Sequence, residues 1–320
     1  AMHESQQAYQ SLFTTNMGFA SGERIVIFSD IIRDDEEVTP QDQDRRTRLL
    51  STANDMADFC TQHYGNTTFV AFPATPASGA EPPIEAWRAV YGEQVVEQLQ
   101  TADLFKKLLE KTVTSQELAA AKAIVLAQST EVCDIVIALA NNSTSHTNFR
   151  KLACAAKTRF ASLPHFDPTM FQTSMCVDWL ALAERTERLV VALNQGSWVH
   201  ISAPNGTDMH ICKEGRRAEG DDGLLTKSGS FGNLPAGEAY LAPLEGKSYG
   251  TMVIEWGPTA KLSAPLHLTV KKGSVDTIAG VDPLRQRLEA LFERNSACRN
   301  LAELGIGTND RASRPDNVLE

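Results

Sequence analysis

The hydrophobic period of this chain changes once, near Gly196, and that change constrains its fold more than any other feature. Ahead of it, short apolar runs alternate with longer amphipathic ones, the pattern of a parallel sheet covered by helices. Behind it, SWVHISAP, TDMHICKE, GTMVIEW and LHLTVKK alternate with period two between clusters of glycine, proline and asparagine. Such segments read as antiparallel strands with one wet face. At 320 residues the chain is about twice a usual domain in length, so two domains are expected, 1–195 and 196–320.

In the first domain, 24–29 (RIVIFS), 67–72 (TTFVAF), 134–140 (DIVIALA) and 158–163 (TRFASL) read as strands. Thr39-Pro40 marks a helix start, and Leu49, Leu50, Ala53, Met56, Ala57 and Cys60 give that helix an apolar face up to about Tyr64. Repeated strand–helix–strand order predicts an α/β fold with a parallel, doubly wound, flavodoxin-like sheet. Residues 85–129 are almost all helix-forming, with a capping box at Thr114 and Glu117, and form a helical insertion on that sheet. After the first strand comes DIIRDDEE instead of a glycine-rich phosphate cradle, which argues against a nucleotide site; the DDEE run reads as a solvated loop. The second domain is mainly antiparallel α+β, with one amphipathic helix at 283–294 carrying Leu284, Leu288, Leu291 and Phe292 on one face.

Composition narrows the function classes. Thirty basic against 40 acidic residues, a formal charge of -10, argue against nucleic acid or an anionic membrane as partner, because both need a basic face. Six cysteines stand singly with no CxxC pair, as expected of reduced thiols in a cytoplasmic protein. No run approaches the ~20 apolar residues of a membrane helix, the N-terminus lacks a signal-peptide core, and Ala1 before Met2 reads as the remnant of a cleaved tag.

Neither a GxSxG elbow, an HExxH pair nor a zinc-finger spacing is present. His200 and His210 fall on strands read as neighbours, an arrangement that allows cross-strand pairing, and are read as ordinary polar strand residues. Two carboxylates stand out. Glu238, in NLPAGEAYLAP, follows a Pro-Ala-Gly turn that fixes an acid at a strand start, as a metal ligand requires. Glu303, in NLAELGIGTN, sits in an apolar segment where an uncompensated charge is costly and a shared cation would relieve the cost.

The stretches 233–255 (NLPAGEAYLAPLEGKSYGTMVIE) and 300–309 (NLAELGIGTN) resemble the two glutamate motifs of the aminopeptidase T family, the thermophilic-type leucyl aminopeptidases. Residues 142–164 and 201–211 (ISAPNGTDMHI) add to the similarity. The resemblance implies a cytoplasmic, homodimeric metallo-aminopeptidase in which Glu238 and Glu303 bind a pair of divalent ions, zinc, cobalt or similar. Those ions would activate water against the N-terminal bond of a peptide substrate. His210, Asp208 and Arg216 are candidates to line the cleft, and the general base is unassigned. In that family the second motif is followed by two histidines, an aspartate and a tyrosine that complete the site. Here the sequence ends at Glu320, in PDNVLE, where that stretch is expected to begin, so either the chain continues or the site is incomplete. Two rival readings share the scaffold: a mononuclear non-haem iron dioxygenase that opens dihydroxypyridine rings, and a metal-less, non-catalytic relative.

Overall fold

A computed structural model describes residues 4–320, which divide into two compact units. The first runs to Cys176 and takes in Gly223–Pro235; the second comprises Val177–Asp222 and Ala236–Val318. The fold is mixed α/β, with a parallel five-stranded sheet and separate antiparallel sheets.

In the first unit, α1 (Glu4–Ser11) precedes β1 (Ile25–Ile31), a strand buried at six of its seven positions, as a parallel strand covered on both faces must be. Thr39 accepts the N–H of Asp42 and starts α2 (Pro40–His63), whose Leu49, Ala53, Met56, Ala57 and Cys60 are buried. β2 (Thr67–Pro73) pairs with β1 on one side, and β3 (Ile135–Ala138) pairs with it on the other, so the segments at 24–29 and 134–140 share one sheet. The helix-forming stretch breaks into α3 (Ile84–Tyr91), α4 (Glu93–Thr101), α5 (Phe105–Glu110) and α6 (Ser115–Ala127). A left-handed Lys111 ends α5, and the Thr114–Glu117 capping box starts α6. α7 (Asn148–Ala155) and β4 (Arg159–Ser162) follow, and a fifth parallel strand, Phe231–Asn233, pairs with β4.

With the order β2-β1-β3-β4 and then the fifth strand, the doubly wound expectation is met. The carboxyl end between β1 and β3, where such sheets bind ligands, is filled by the chain itself. Asp30 is buried there and accepts the N–H groups of Asn141 and Asn142. Burial raises its pKa against the lowering effect of those two bonds. The DDEE loop is less solvated than its sequence implies: Glu36 bonds buried Arg46 at 2.6 Å, which holds its carboxyl below the usual range.

In the second unit, α8 (Trp179–Leu193) leads into β5 (Trp198–Ser202), β6 (Asp208–Cys212) and β7 (Glu219–Asp221). With the fifth strand of the first unit counted as β8, the chain continues through β9 (Glu238–Leu241), β10 (Tyr249–Trp256), β11 (Lys261–Lys271) and β12 (Ser274–Ala279). It closes with α9 (Leu284–Arg294) and β13 (Leu304–Gly307). An antiparallel sheet of order β12-β11-β10-β6-β5 turns Met209, Ile211, Leu266 and Leu268 to an apolar core. α9 adds Leu284, Leu288 and Phe292 to that core, but Leu291, expected on the same face, is exposed at the edge of the stripe. No described helix is long and apolar enough to cross a membrane, and all six cysteines are free.

Candidate metal centre

Glu238 opens β9 of a second, three-stranded sheet of order β13-β9-β7, and Glu303 immediately precedes β13. Its register sets Asp221 and Gly307 beside Glu238, and Glu219 and Gly305 beside Tyr240. Because side chains alternate, Glu219, Asp221, Glu238 and Tyr240 share one face. Glu303, just ahead of β13, carries a charge that acts on both Glu238 and Tyr240. The opposite face is apolar: Ala239, Leu241, Leu304 and Ile306 pack with Val190 and Leu193 of α8. Burying that face against α8 fixes the strands, and the acids are carried on the side that remains.

The two glutamate motifs are locked together by their turns. Gly237 has φ +129, and a Cβ there would approach Asn309 Cβ to 2.7 Å, so only glycine fits. Across this contact Thr308 N–H donates to Gly237 O at 2.8 Å, and Asn309 Nδ2 donates to Ala236 O at 2.9 Å. Thr308 is itself anchored by Thr186 Oγ1 at 2.7 Å and by Arg185, whose Nε donates to Thr308 O. The rigid strand start read from Pro-Ala-Gly therefore owes its rigidity to the end of the other motif.

Burial raises the Glu238 pKa first, and the charge of Glu303 raises it further, so the two carboxylates are near enough to repel. Tyr240 is pushed the same way, first by burial and then by Glu219, whose Oε2 accepts its hydroxyl at 3.1 Å. Asp221 and Glu303 add to the negative field on Tyr240. A face where ionisation is resisted by neighbouring acids is one where a divalent cation is favoured. Its donors are hard oxygens, suited to ions that accept carboxylate.

Gly305 makes room for this arrangement, because a Cβ built on it would overlap Glu238 Oε1. Gly305→Ala should therefore displace the Glu238 carboxylate without removing it. We expect divalent-ion affinity to fall at least about tenfold, as when a ligand loses its orientation. The stability change should stay under ~1 kcal/mol, because the displaced group is the free end of a side chain. Calorimetric metal titration beside a thermal melt measures both, and unchanged affinity would remove Glu238 from the centre.

The cross-strand pairing that the sequence allows for His200 and His210 is present, and it forms a second cluster. His200 pairs directly with His210 across β5 and β6, and Asp208 lies two residues along β6 on the same face. The ligand atoms of all three lie within 4.8 Å of one another, the one such histidine, cysteine or acid group among the described residues. The sequence placed the two histidines on neighbouring strands, and the register stacks them. Arg216, named with His210 and Asp208 as a cleft residue, pairs with Glu245 at 2.5 Å.

Residues 84–316 match the sequence profile of the NicX family, described as 2,5-dihydroxypyridine 5,6-dioxygenase. The chain belongs to this family. No curated protein matches it. Among solved structures, 2,5-dihydroxypyridine dioxygenase from Pseudomonas putida KT2440 superposes with a TM-score of 0.63 at 14% identity, over 100% of this chain and 83% of that one. Wild-type AmpT from Thermus thermophilus gives 0.54 at 12% identity, over 95% and 78%. At these identities both likenesses are of fold. The NicX match corrects the aminopeptidase T expectation: that resemblance is one of shared scaffold, and membership falls on the dioxygenase side, the rival reading. By their names the family and both neighbours are enzymes.

Proposed function

We propose that this NicX-family chain is a ring-opening dioxygenase acting on a dihydroxylated pyridine or a closely similar nitrogen heteroaromatic. The match over residues 84–316 carries this reading. A dioxygenase places both atoms of O2 in its product, so the reaction needs no outside reductant. Glu238 and Glu303 would supply carboxylate ligands to a divalent ion, because their mutual repulsion is relieved by positive charge. Such an ion would supply Lewis-acid polarisation of oxygen atoms bound to it. For its part the chain holds the two carboxylates through the locked turns at Gly237 and Thr308, and Tyr240 with Glu219 extends a fixed polar edge beside them.

A metallo-aminopeptidase remains the second reading. The observation in its favour is the pair of neighbouring carboxylates, a donor set suited to two ions, on a scaffold shared with AmpT. One pair of assays separates them. Oxygen uptake by the Fe(II)-loaded protein with 2,5-dihydroxypyridine, with no release of nitroaniline from a leucyl nitroanilide under zinc or cobalt, is the expected result. Nitroaniline release without oxygen uptake would overturn it.

A further inference from the structure

On the water-facing side of the five-stranded antiparallel sheet, four rings form a continuous row across three strands. His200 and His210 lie face to face, with centroids 4.4 Å apart and planes 5° from parallel. Tyr249 of β10, register partner of His210, covers the other face of that imidazole at 4.9 Å and 16°. Trp198 then meets Tyr249 edge-on at 6.1 Å. Asp208 reaches between the imidazoles: its Oδ1 lies 2.8 Å from His200 Nε2 and 3.6 Å from His210 Nε2. Both Nε2 atoms thus lie close to one carboxylate oxygen.

We propose that His200, Asp208 and His210 form a binding site for a borderline transition-metal ion of the zinc type, separate from the carboxylate face that carries Glu238 and Glu303. Two features support it. Two imidazoles and a carboxylate are the donors such ions take, with positions left for water or an outside ligand. The donors come from paired strands of one sheet, so their spacing is set by backbone register and not by a loop. Parallel rings aim their in-plane lone pairs side by side, so binding swings at least one imidazole out of the stack, a motion its exposed position allows. On binding, a neutral imidazole protonated at Nε2 moves that proton to Nδ1 through solvent, a doubly protonated one releases its Nε2 proton to solvent, and Asp208 exchanges its hydrogen bond for a bond to the ion. An open face imposes little geometric selection, so affinity follows the intrinsic order, in which zinc and copper exceed iron. The site therefore takes zinc-like ions in preference to Fe(II).

The test uses Glu238→Gln/Glu303→Gln protein as background, so that the carboxylate face does not report. In that background, titration with Zn(II) against a chromophoric chelator should reveal one site, and Co(II) should give visible bands of nitrogen-ligated metal. Adding His200→Asn and His210→Asn should weaken zinc by at least about a hundredfold, beyond what loss of a supporting partner costs, and abolish the cobalt bands. Asp208→Asn should weaken zinc by at least about tenfold. The three side chains are exposed or half-exposed, so melting temperatures should stay within about 2 °C and exclude unfolding as the cause. Equal zinc affinity with and without the two histidines, or no binding in the background protein, would overturn the proposal. Either result leaves the dioxygenase reading untouched, since oxygen uptake is measured on the parent protein.

Discussion

Glu238→Gln and Glu303→Gln, made singly, should each lower divalent-ion retention, and turnover with it, by at least about a hundredfold while the protein still folds. Glutamine keeps the shape and removes the charge, so only the electrostatic half of the interaction is lost. The pH dependence gives a sharper check. The Glu238 pKa is raised in the fold above its ordinary 4.5, by burial and then by Glu303. Its ionisation therefore opposes folding: the associated stability is present below the unfolded carboxylate value and is lost as pH rises through the folded one. Metal-free Glu238→Gln protein should accordingly melt no lower than the parent at pH 7, and the two should converge in acid. Metal binding runs the other way, since the ligand must be ionised, and affinity should decline as pH falls through the raised value. Retention of metal by Glu238→Gln, or a lower melting point at pH 7, would place the carboxylate in a structural role instead.

What the sequence made legible were features encoded within a few residues of each other. The Thr39 cap and the Thr114–Glu117 box both hold, because an N-cap needs only its own first turn. Strands at 24–29, 67–72 and 134–140 are apolar runs that stand out in any context. By contrast β7 reads Glu-Gly-Asp and β8 reads Phe-Gly-Asn, neither with a strand-like period. Each is a strand because a distant partner supplies its hydrogen bonds, β9 for the first and β4 for the second. Missing β7 meant missing Glu219 and Asp221 beside Glu238. For the histidine cluster the sequence gives the neighbouring strands, and the loop between them gives the register. Counting outward from the three-residue loop Pro204-Asn205-Gly206, with Ala203 facing Thr207, pairs Ser202 with Asp208 and His200 with His210, the observed register.

Trp87→Ala should destabilise the first unit by about 3–5 kcal/mol, the upper range for a large aromatic lost from a core. Trp87 is fully buried on α3 and holds the helical insertion to the rest of the unit. It stacks on Tyr91 at 5.1 Å and meets the edges of Phe105 and Phe149 at 5.4 Å, while its Nε1 donates to Pro82 O at 3.1 Å. The cost depends on whether these neighbours can close over the gap, and they are tethered. The Tyr91 hydroxyl is bonded to Phe149 O, and Phe149 N–H is held by Glu81 Oε2 at 3.0 Å at the start of α7. A cavity that cannot collapse keeps its full penalty. Trp87→Phe, which retains a ring but not the indole N–H, should lose less than half as much. Urea denaturation followed by circular dichroism gives both values, with zinc and iron binding in the second unit as a control that should not move. A loss under ~1 kcal/mol for the alanine variant would mean that the insertion packs loosely and that the sheet folds without it.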